Sequence, residues 1–292
     1  GNPTLYQLWV RQRKSDLFTT HFLKSSGRFP LSTTKNVNSY AVFHELGILI
    51  ISDSGIVGFI LQSGIATDEI NMLLFQHMIR NRRLVSFFDF ENRQGVFPAV
   101  HRMMKFCLIT ASGSAYDKNP RFAFYATSTD DLYIPDRVFE LSDDDLFTIS
   151  PNTGLLPTFR NRHDAILCLN ICRFSGSFIV DEGNYNPWQA SIRRVFSSYY
   201  DSGDLVSVDA LSFVPTESDF DRDNLLRLYE AKLFHQYDHR FATYKSVFGE
   251  IADTPRDKGV QEKSSNNMTL PRYWVQKGEL ERRLQNVFWN RR

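Results

Sequence analysis

The order of apolar and polar positions predicts alternating helices and strands in the first half of the chain. Residues 4–24 and 37–51 each place apolar side chains at helical spacing, the first among basic residues. Residues 56–62 (IVGFILQ) form a continuous apolar run of strand length, which is typical of a strand covered on both faces. Residues 66–81 begin with acidic side chains and continue as an amphipathic pattern, which predicts a helix whose dipole those acids complement.

Three further apolar runs predict strands at residues 84–90, 105–112 and 122–127. The region 37–127 therefore reads helix, strand, helix, strand and then two strands in close succession. This order predicts an α/β fold: the C-terminal half of a doubly wound, Rossmann-like sheet that ends in an antiparallel pair. No glycine-rich turn between a strand and a helix stands near the N-terminus, so the sequence predicts no cofactor cradle of the nucleotide-binding kind.

The second half of the chain is less regular and predicts an α+β region. Residues 141–174 indicate a turn, an extended piece and then a helix from about Asn161. The leucine spacing over residues 225–235 predicts another helix, and the polar residues 253–269 predict a mobile loop. A helix is also predicted within residues 271–292.

These patterns divide the chain into three regions. Residues 1–36 are a helical lead-in and loop, residues 37–140 are the half-sheet, and residues 141–292 are the irregular α+β region. The sequence shows no internal repeats.

Composition is that of an ordinary globular protein with many aromatic residues. Hydrophobic residues make up 42% of the chain and charged residues 23%, so its 292 residues suffice for one large domain or two modest ones. The 25 Phe indicate thick buried packing, or surfaces that stack on something flat. The net charge of +1 implies no polyanion partner, but residues 1–36 and 271–292 are locally basic. Those ends are compatible with phosphate contact or with a solvated face.

The cysteines and the longest apolar run indicate in which cellular compartment the protein is expected. Cys107, Cys168 and Cys172 lie in apolar runs and fit neither a disulfide framework nor a zinc knuckle, which indicates a reducing, cytoplasmic environment. The longest apolar run, 47–61, is interrupted by polar residues at 52–54, so no membrane span is predicted, and no signal peptide is visible.

One candidate metal site involves two histidines. His235 and His239 stand four residues apart, so on a helix they would share a face and could hold zinc. The metalloprotease pattern requires Glu after the first histidine, and Gln236 stands there instead. No third ligand is evident, so surface histidines, or histidines satisfied by Asp238, are the favoured interpretation, and no metal site is predicted.

A second candidate chemistry is Mg²⁺-dependent nuclease activity. Glu230 and Lys232 match the E-x-K half of a nuclease signature, and Asp219, Asp221 and Asp223 lie upstream as possible carboxylate partners. That half-signature normally lies on a strand, whereas the leucine spacing here predicts a helix. Nuclease activity is therefore the weaker alternative.

Two carboxylates stand at the end of a predicted strand, in the segment 88–92 (FDFEN). The carboxyl ends of strands are where ligands bind in α/β sheets. For Asp89, a helix cap or an ion pair is the simpler interpretation.

Six segments, in this order, resemble the bacterial N6-adenine DNA methyltransferases of type IIG and related restriction–modification and phage-defence systems. The segments are SSGRFPL (25–31), GIVGFILQSGIATDE (55–69), FFDFENRQGVFPAVHRMMKFCLIT (87–110), SPNTGLLPTFRNRHDA (150–165), LYEAKLFHQYDHRFATY (228–244) and PRYWV (271–275). The resemblance covers nearly the whole chain. One departure is Gln62, where relatives usually carry Pro, which puts the local loop geometry in doubt.

The resemblance implies a site-specific, S-adenosylmethionine-dependent DNA methyltransferase that acts on the amino group of a flipped adenine. The family's cofactor loop and its Asn-Pro-Pro-aromatic motif precede the part seen here. Asn2 and Pro3 match the start of that motif, but Thr4 and Leu5 depart from it, so they are interpreted as a helix start. We therefore expect no catalytic or cofactor-binding residue in this chain, no bound cofactor and no activity of residues 1–292 alone. The expected partners are double-stranded DNA and the missing N-terminal methyltransferase half.

DNA contact is predicted for two groups of basic residues. Arg160 and Arg162 are interpreted as phosphate clamps, or alternatively as charge partners of Asp164. The second group lies in the family segment 228–244, for which the resemblance implies no established catalytic role. Its members are Lys232, His235, His239 and Arg240.

For this second group the alternative is structural: Glu230–Lys232 and Asp238–Arg240 would be pairs that fix a domain junction. A non-catalytic DNA-binding or assembly module is accordingly the alternative function from a different class. Strong salt dependence of DNA binding would support it.

Overall fold

The computed structural model describes residues 2–190, 194–197, 200–207, 210–211, 221–222, 224–235, 238–244, 246–247, 250–251, 256–257 and 269–285. The chain forms two compact units, 1–190 and 191–292. The division by packing falls later than the sequence-based boundary at residue 140, because Leu146, Phe159 and Ala165 lie in the same core as the sheet.

The first unit contains six α-helices and five strands among its described residues. They are α1 (Pro3–Ser25), α2 (Ser39–Ile50), β1 (Ile56–Gln62), α3 (Gly64–Thr67), α4 (Met72–Arg80), β2 (Leu84–Glu91), β3 (Lys105–Ser112), β4 (Arg121–Ala126), β5 (Phe139–Glu140), α5 (Asp143–Ile149) and α6 (Arg162–Ser175). The predicted helices at 4–24 and 37–51 and the predicted strands are confirmed within a few residues. Asn2 caps α1, since its side chain accepts from the backbone N–H groups of Thr4 and Leu5.

The five strands form one mixed sheet in the order β1-β3-β2-β4-β5. β3 runs antiparallel to both β1 and β2, whereas β2 and β4 are parallel. The predicted antiparallel pair of β3 and β4 is wrong, because β3 inserts between β1 and β2 and β4 pairs in parallel with β2. This order brings the carboxyl ends of β1, β2 and β4 to one edge of the sheet.

Helices cover one face of this sheet. Ile48 of α2, Leu74 and Phe75 of α4, and Leu146 of α5 share a core cluster with Phe87 and other inward side chains of the strands. α2 approaches closely at Gly47, where a Cβ atom would lie 2.4 Å from Cζ of Phe59.

The prediction that β1 is covered on both faces is wrong. Ile56 and Ile60, which point away from the helices, are 64% and 58% exposed. A continuous apolar run cannot by itself tell a doubly covered strand from an uncovered one. Double winding of the sheet is accordingly not confirmed, and the described fold is mixed α/β.

Two helix predictions in this unit need correction. The segment 66–81 is not one helix: the extended backbone of Asp68 (φ −97°, ψ 132°) ends α3, and a 3₁₀ turn at Glu69–Asn71 separates it from α4. The segment after residue 141, predicted as a turn, is the helix α5. Ser142 and Asp145 form a reciprocal capping box at its N-terminus. The helix predicted from Asn161 is confirmed as α6, with Asn161 as its cap.

The described part of the second unit is built from short strands and one helix. They are β6 (Leu205–Ser207), β7 (Asp221–Arg222), β8 (Leu225–Leu228), β9 (Ala242–Thr243), β10 (Ser246–Val247), β11 (Glu250–Ile251), β12 (Arg256–Asp257), β13 (Tyr273–Gln276) and α7 (Lys277–Leu284). Four of the strands form an antiparallel sheet in the order β6-β13-β8-β7. Its core centres on Leu225 and the fully buried Trp274.

The helix predicted over 225–235 is wrong. Leu225–Leu228 is a strand, because β13 pairs along one side of it and β7 along the other, and that hydrogen bonding overrides the helical leucine spacing. The predicted C-terminal helix is confirmed in part as α7. Most of the loop predicted at 253–269 lies outside the described residues, and two of its members form β12, which pairs with β9.

Among the described residues, no helix has both the length and the apolar character that crossing a bilayer requires.

Candidate functional site

A cavity of about 510 Å³ opens at the carboxyl end of β1. Its walls are mainly apolar and aromatic, with a few polar groups. They comprise Ser39, Tyr40, Ile60, Leu61, Gln62, Phe97, Val100, Met104, Lys105 and Phe106. Ligands of open α/β sheets bind beyond the carboxyl ends of strands, and an apolar cavity with few converging polar groups is typical of a binding site. This cavity is the candidate site.

A smaller cavity, of about 280 Å³, lies at the amino ends of β2 and β4. Arg82 Nε stands 3.8 Å from Asp143 Oδ2 there, and burial raises the pKa of Asp143. Its position at the amino edge of the sheet makes it the weaker candidate.

One wall of the candidate site is Tyr40, in the first turn of α2. Its hydroxyl accepts from Nδ2 of the buried Asn71 at 3.1 Å, and Nδ2 of Asn38 lies 3.4 Å away. Asn71 also donates to the carbonyl of Gly64 at 2.8 Å. The tyrosine is therefore fixed to the turn that follows β1.

The opposite wall is a loop that one buried side chain holds in place. Asn92 Nδ2 donates to the carbonyls of Phe97 and Val100 at 3.0 and 2.9 Å, and Asn92 Oδ1 accepts from the Phe97 N–H at 2.9 Å. A fully buried amide with three such bonds sets the path of the loop between β2 and β3.

Three phenylalanines join that loop to the sheet. The rings of Phe90 and Phe106 stack at a centroid distance of 5.2 Å, and Phe97 meets Phe106 edge-on at 4.9 Å. Phe97 and Phe106 line the cavity, so aromatic surface is available to a flat ligand.

Polar side chains cluster around the buried Asp89 at the same edge of the sheet. Its Oδ1 accepts from Ser63 Oγ at 2.5 Å, and its Oδ2 accepts from the Tyr125 N–H at 3.3 Å. Lys105 Nζ lies 3.5 Å from Oδ2 and 4.3 Å from the centroid of the Tyr125 ring. The ion-pair interpretation of Asp89 is thus confirmed, and the carboxylate holds Lys105 at the cavity.

Tyr125 has a left-handed backbone, with φ of 57°, beside a shift in register between β2 and β4. This conformation is costly for a tyrosine, and such residues cluster at functional sites.

The residues that line the cavity carry hydroxyl, amide and amine groups but no acidic side chain. Its described walls contain no histidine, cysteine or carboxylate. The nearby thiol of Cys107 is buried, and burial, with a smaller contribution from Asp89, raises its pKa to about 12. Over the described residues, no three potential metal ligands come together.

Arg160 and Arg162 are both exposed. Arg160 lies just before α6, and Arg162 is the first residue of that helix. Within the described residues neither guanidinium forms an ion pair with Asp164, so the alternative of a charge pair finds no support there. Their contact with phosphate stays a prediction.

Lys232, in the second unit, is part of a local pair. Its Nζ lies 3.2 Å from Glu230 Oε2, and the Tyr244 hydroxyl donates to the same oxygen at 3.3 Å. Hydrogen bonding to Tyr244, and then to Glu230, raises the pKa of Lys232. The structural pair proposed for Glu230–Lys232 is therefore formed, and Lys232 remains half-exposed.

The same geometry bears on the nuclease alternative. Glu230 lies two residues after the end of β8, and Lys232 lies in a 3₁₀ turn at Ala231–Leu233 and is paired with that glutamate. Of the acidic partners, Asp219 and Asp223 lie outside the described residues, and Asp221 lies in β7.

The remaining predicted residues lie in a turn. His235 and Asp238 exchange backbone hydrogen bonds, and the Arg240 N–H donates to Asp238 Oδ1 at 3.0 Å. His235 and His239 are exposed, and they are not arranged on the helix that a shared zinc face would need.

Sequence reasoning missed the residues that build the cavity. Tyr40, Asn92, Phe97 and Lys105 come from separate segments, and no local pattern in the sequence marks them as neighbours. In the sequence, the position of Asp89 at the end of a predicted strand points to this edge of the sheet. It does not identify the residues that surround Asp89 there.

Comparison with protein-family models and with curated proteins finds no match for this chain. Among solved structures, part of the chain is similar to the type IIG restriction endonuclease BpuSI, with a TM-score of 0.28 and 18% identity. The similarity covers 36% of this chain and 12% of that enzyme. A TM-score this low establishes neither a shared fold nor a shared family.

Proposed function

We propose that this chain is a portion of an S-adenosylmethionine-dependent, site-specific DNA methyltransferase that modifies N6 of adenine. It would serve a restriction–modification or phage-defence system, and residues 1–292 alone would be inactive. The observation that carries the proposal is an aromatic cavity at the carboxyl edge of a sheet whose outer strand, β1, has no second neighbour among the described residues.

An aromatic cavity suits a base taken out of the DNA stack. Enzymes that modify a base extrude it and hold it between aromatic and apolar side chains. Phe97, Phe106 and Tyr40 supply such surfaces, and Lys105 supplies one cation beside them. Base–aromatic stacking contributes about 1–3 kcal/mol per base.

The backbone of DNA would be held by the exposed Arg160 and Arg162. Guanidinium groups bind phosphate in a bidentate manner, and neither is engaged with Asp164 in the described residues. This observation also favours the second candidate function, a DNA-binding module without chemistry.

The described residues do not fit S-adenosylmethionine. Only Ser63 lies between β1 and α3, and a Cβ at Gly64, the first residue of α3, would meet the Asp68 carboxylate rather than an open cradle. No glycine-rich loop follows a strand in the described part of the first unit. The cofactor would therefore be held by polypeptide outside this chain, and the residues here would position DNA.

The test is methyl transfer with a variant of the cavity wall. Tritiated S-adenosylmethionine and unmethylated bacterial DNA are supplied to the product of the complete coding region, with the modified base identified by mass spectrometry. We expect N6-methyladenine, and we expect Phe97→Ala to lower kcat/KM by about ten- to a hundredfold, as the loss of one stacking contact implies. Phe97→Trp is the conservative variant, and Phe178→Ala, at an exposed phenylalanine outside the cavity, is the matched control.

Transfer to cytosine, or no transfer, would contradict the proposal. Methylation by residues 1–292 alone would contradict the assignment of the cofactor site to other polypeptide. Salt-dependent DNA binding without any transfer would favour the non-catalytic module.

A further inference from the structure

The smaller cavity of the first unit, of about 280 Å³, combines an apolar floor with a rim that carries charges of both signs. It lies at the amino ends of β2 and β4, on the opposite edge of the sheet from the candidate site. Its floor is made of buried side chains, three of which belong to the core of the first unit. The floor residues are Met78, Ile79, Leu84 and Pro120.

Two cations border the cavity from separate segments. Arg82 lies in the turn between α4 and β2, and Lys118 lies between β3 and β4. The Tyr116 N–H donates to the Arg82 carbonyl at 2.7 Å, so the two segments are joined beside the cavity. Among the described residues the Lys118 side chain forms neither an ion pair nor a hydrogen bond, so its ammonium group is open to an anion.

Two carboxylates border the same cavity from the first turn of α5. Arg82 Nε stands 3.8 Å from Asp143 Oδ2, which is too far for a hydrogen bond. Burial raises the pKa of Asp143, the charge of Arg82 lowers it, and the charge of the neighbouring Asp144 raises it. The Asp143 carboxylate is thus partly removed from water, lies beside a like charge and accepts no hydrogen bond from the described residues. A cation in the cavity would complete its environment.

The backbone of Arg82 is strained, which is an observation independent of the charges. Its φ is 52°, in the left-handed region, and it directly follows Asn81, the C-cap of α4. Glycine is the usual residue at this position, because a side chain disfavours that conformation. Strained residues of this kind cluster at ligand sites, where the side chain compensates for the cost. An arginine here therefore points to a role for its guanidinium in the cavity.

The pattern of charges selects the class of ligand. Two cations and two carboxylates give the rim no net charge, so a phosphate, a nucleotide or a polyamine would leave half of it without a partner. A free α-amino acid carries an ammonium and a carboxylate on one carbon, which suits opposite charges 3.8 Å apart at Arg82 and Asp143. The cavity has the volume of about nine water molecules in the liquid, which is enough for an amino acid and too little for a nucleotide.

We propose that this cavity binds a free α-amino acid with an aliphatic side chain. The carboxylate of the ligand pairs with Arg82 and Lys118, and its ammonium group pairs with Asp143 and Asp144. Its side chain packs on the apolar floor, which removes apolar surface from water. The cavity is thus a second ligand site, and it does not depend on methyl transfer.

Calorimetric titration of residues 1–292 with L-leucine tests the class of ligand. We expect saturable binding of one L-leucine per chain. Two analogues lack one charge each: 4-methylpentanoate has no ammonium group, and 3-methylbutylamine has no carboxylate. We expect each to bind about tenfold more weakly or worse, because a hydrogen bond to a charged group contributes at least that factor. Glycine, which has no side chain for the floor, is expected to lose at least as much.

Lys118→Ala and Asp144→Ala test the rim. Both side chains are exposed and form no hydrogen bond or ion pair among the described residues, so both variants are expected to fold. We expect each to bind L-leucine about tenfold more weakly or worse. Lys24→Ala and Asp53→Ala, at exposed residues outside the cavity, are the matched controls and are expected to bind as the wild type does.

Arg82→Gly separates a ligand role from a structural one. Glycine adopts the left-handed backbone without strain, so the melting temperature is expected not to fall. The affinity for L-leucine is expected to fall about tenfold or more, because the guanidinium is lost. A variant that loses stability but keeps the affinity would assign Arg82 to the fold and overturn its role in the cavity.

Methyl resonances locate the bound ligand. We expect those of Met78 and Ile79 to shift on titration with L-leucine, and those of Ile60 and Met104, at the candidate site, to stay. The reverse pattern would overturn the proposal, as would the absence of saturable binding or equal affinities for L-leucine and its two analogues. Binding of inorganic phosphate as tight as that of L-leucine would identify an anion site instead. Methyl transfer is measured separately, so this proposal and the proposed function fail independently.

Discussion

Ser63 Oγ donates a hydrogen bond to Asp89 Oδ1 at 2.5 Å, and this bond links the turn after β1 to the end of β2 across the intervening strand β3. The carboxylate is buried, and its second oxygen is near Lys105 and accepts from the Tyr125 backbone. The side chain of Asp89 therefore connects three other segments at this edge of the sheet.

Removal of the hydroxyl is expected to weaken this edge. Ser63→Ala leaves one oxygen of a buried carboxylate without its donor, and hydrogen bonds to charged groups contribute about 1.5–3 kcal/mol. We expect a loss of roughly that size in the free energy of unfolding, measured by urea denaturation. Ser54→Ala, at an exposed serine, is the control and is expected to change stability by less than about 0.5 kcal/mol.

The loop between β2 and β3 is expected to depend on one amide. Asn92→Ala removes three hydrogen bonds to Phe97 and Val100 at once. We expect cleavage by a nonspecific protease within residues 93–104 to become at least tenfold faster, with the exchange of the Phe97 amide rising in parallel. Asn119→Ala, at an exposed asparagine, leaves both unchanged. Unaltered cleavage in Asn92→Ala would show that aromatic packing alone orders the loop.

Stability is expected to fall with acid because of His44. Burial lowers its pKa from 6.5 to about 4, and its ring packs edge-on against Phe59. Between these values the unfolded chain binds a proton that the folded chain does not, so stability is present above pH 6.5 and is lost as the pH falls towards 4. The loss attributable to this group is about 3 kcal/mol.

The measurement is the difference in unfolding free energy between wild type and His44→Leu from pH 7 to pH 4. We expect the loss of stability that His44 causes in the wild type between pH 6.5 and pH 4 to be absent from the variant. His163→Gln, at an exposed histidine, keeps the wild-type slope. A His44→Leu variant with that same slope would assign the acid sensitivity to other groups.

DNA binding is expected to involve Arg160 and Arg162. Each phosphate contact contributes about 0.9 to the slope of log affinity against log salt concentration. We expect the double alanine variant to lower the slope by about 2, measured by fluorescence anisotropy with a duplex oligonucleotide. Arg173→Ala is the control, because Arg173 is already paired with Asp145 at 2.7 Å. If the double alanine variant and Arg173→Ala change the slope equally, the assignment of phosphate contact to Arg160 and Arg162 is wrong.

Sequence by itself determined most of the order of elements in the first unit up to β4. The helices of residues 4–24 and 37–51 and the strands that follow them are set by local periodicity and caps, so they were predicted within a few residues. The same reasoning failed at β8. Leucines at residues 225, 226 and 228 satisfy helical spacing. The segment is nevertheless a strand, because β13 pairs with Leu226, Arg227 and their neighbours.

Tertiary structure alone decided which edge and which face are open. The apolar run of β1 looks the same in sequence whether one face is covered or two, and only packing shows that Ile56 and Ile60 are exposed. The cavity is likewise a tertiary feature, because Tyr40, Phe97 and Lys105 come from three separate segments. Local interactions fix the elements, whereas contacts between distant residues fix their order in the sheet and therefore the site.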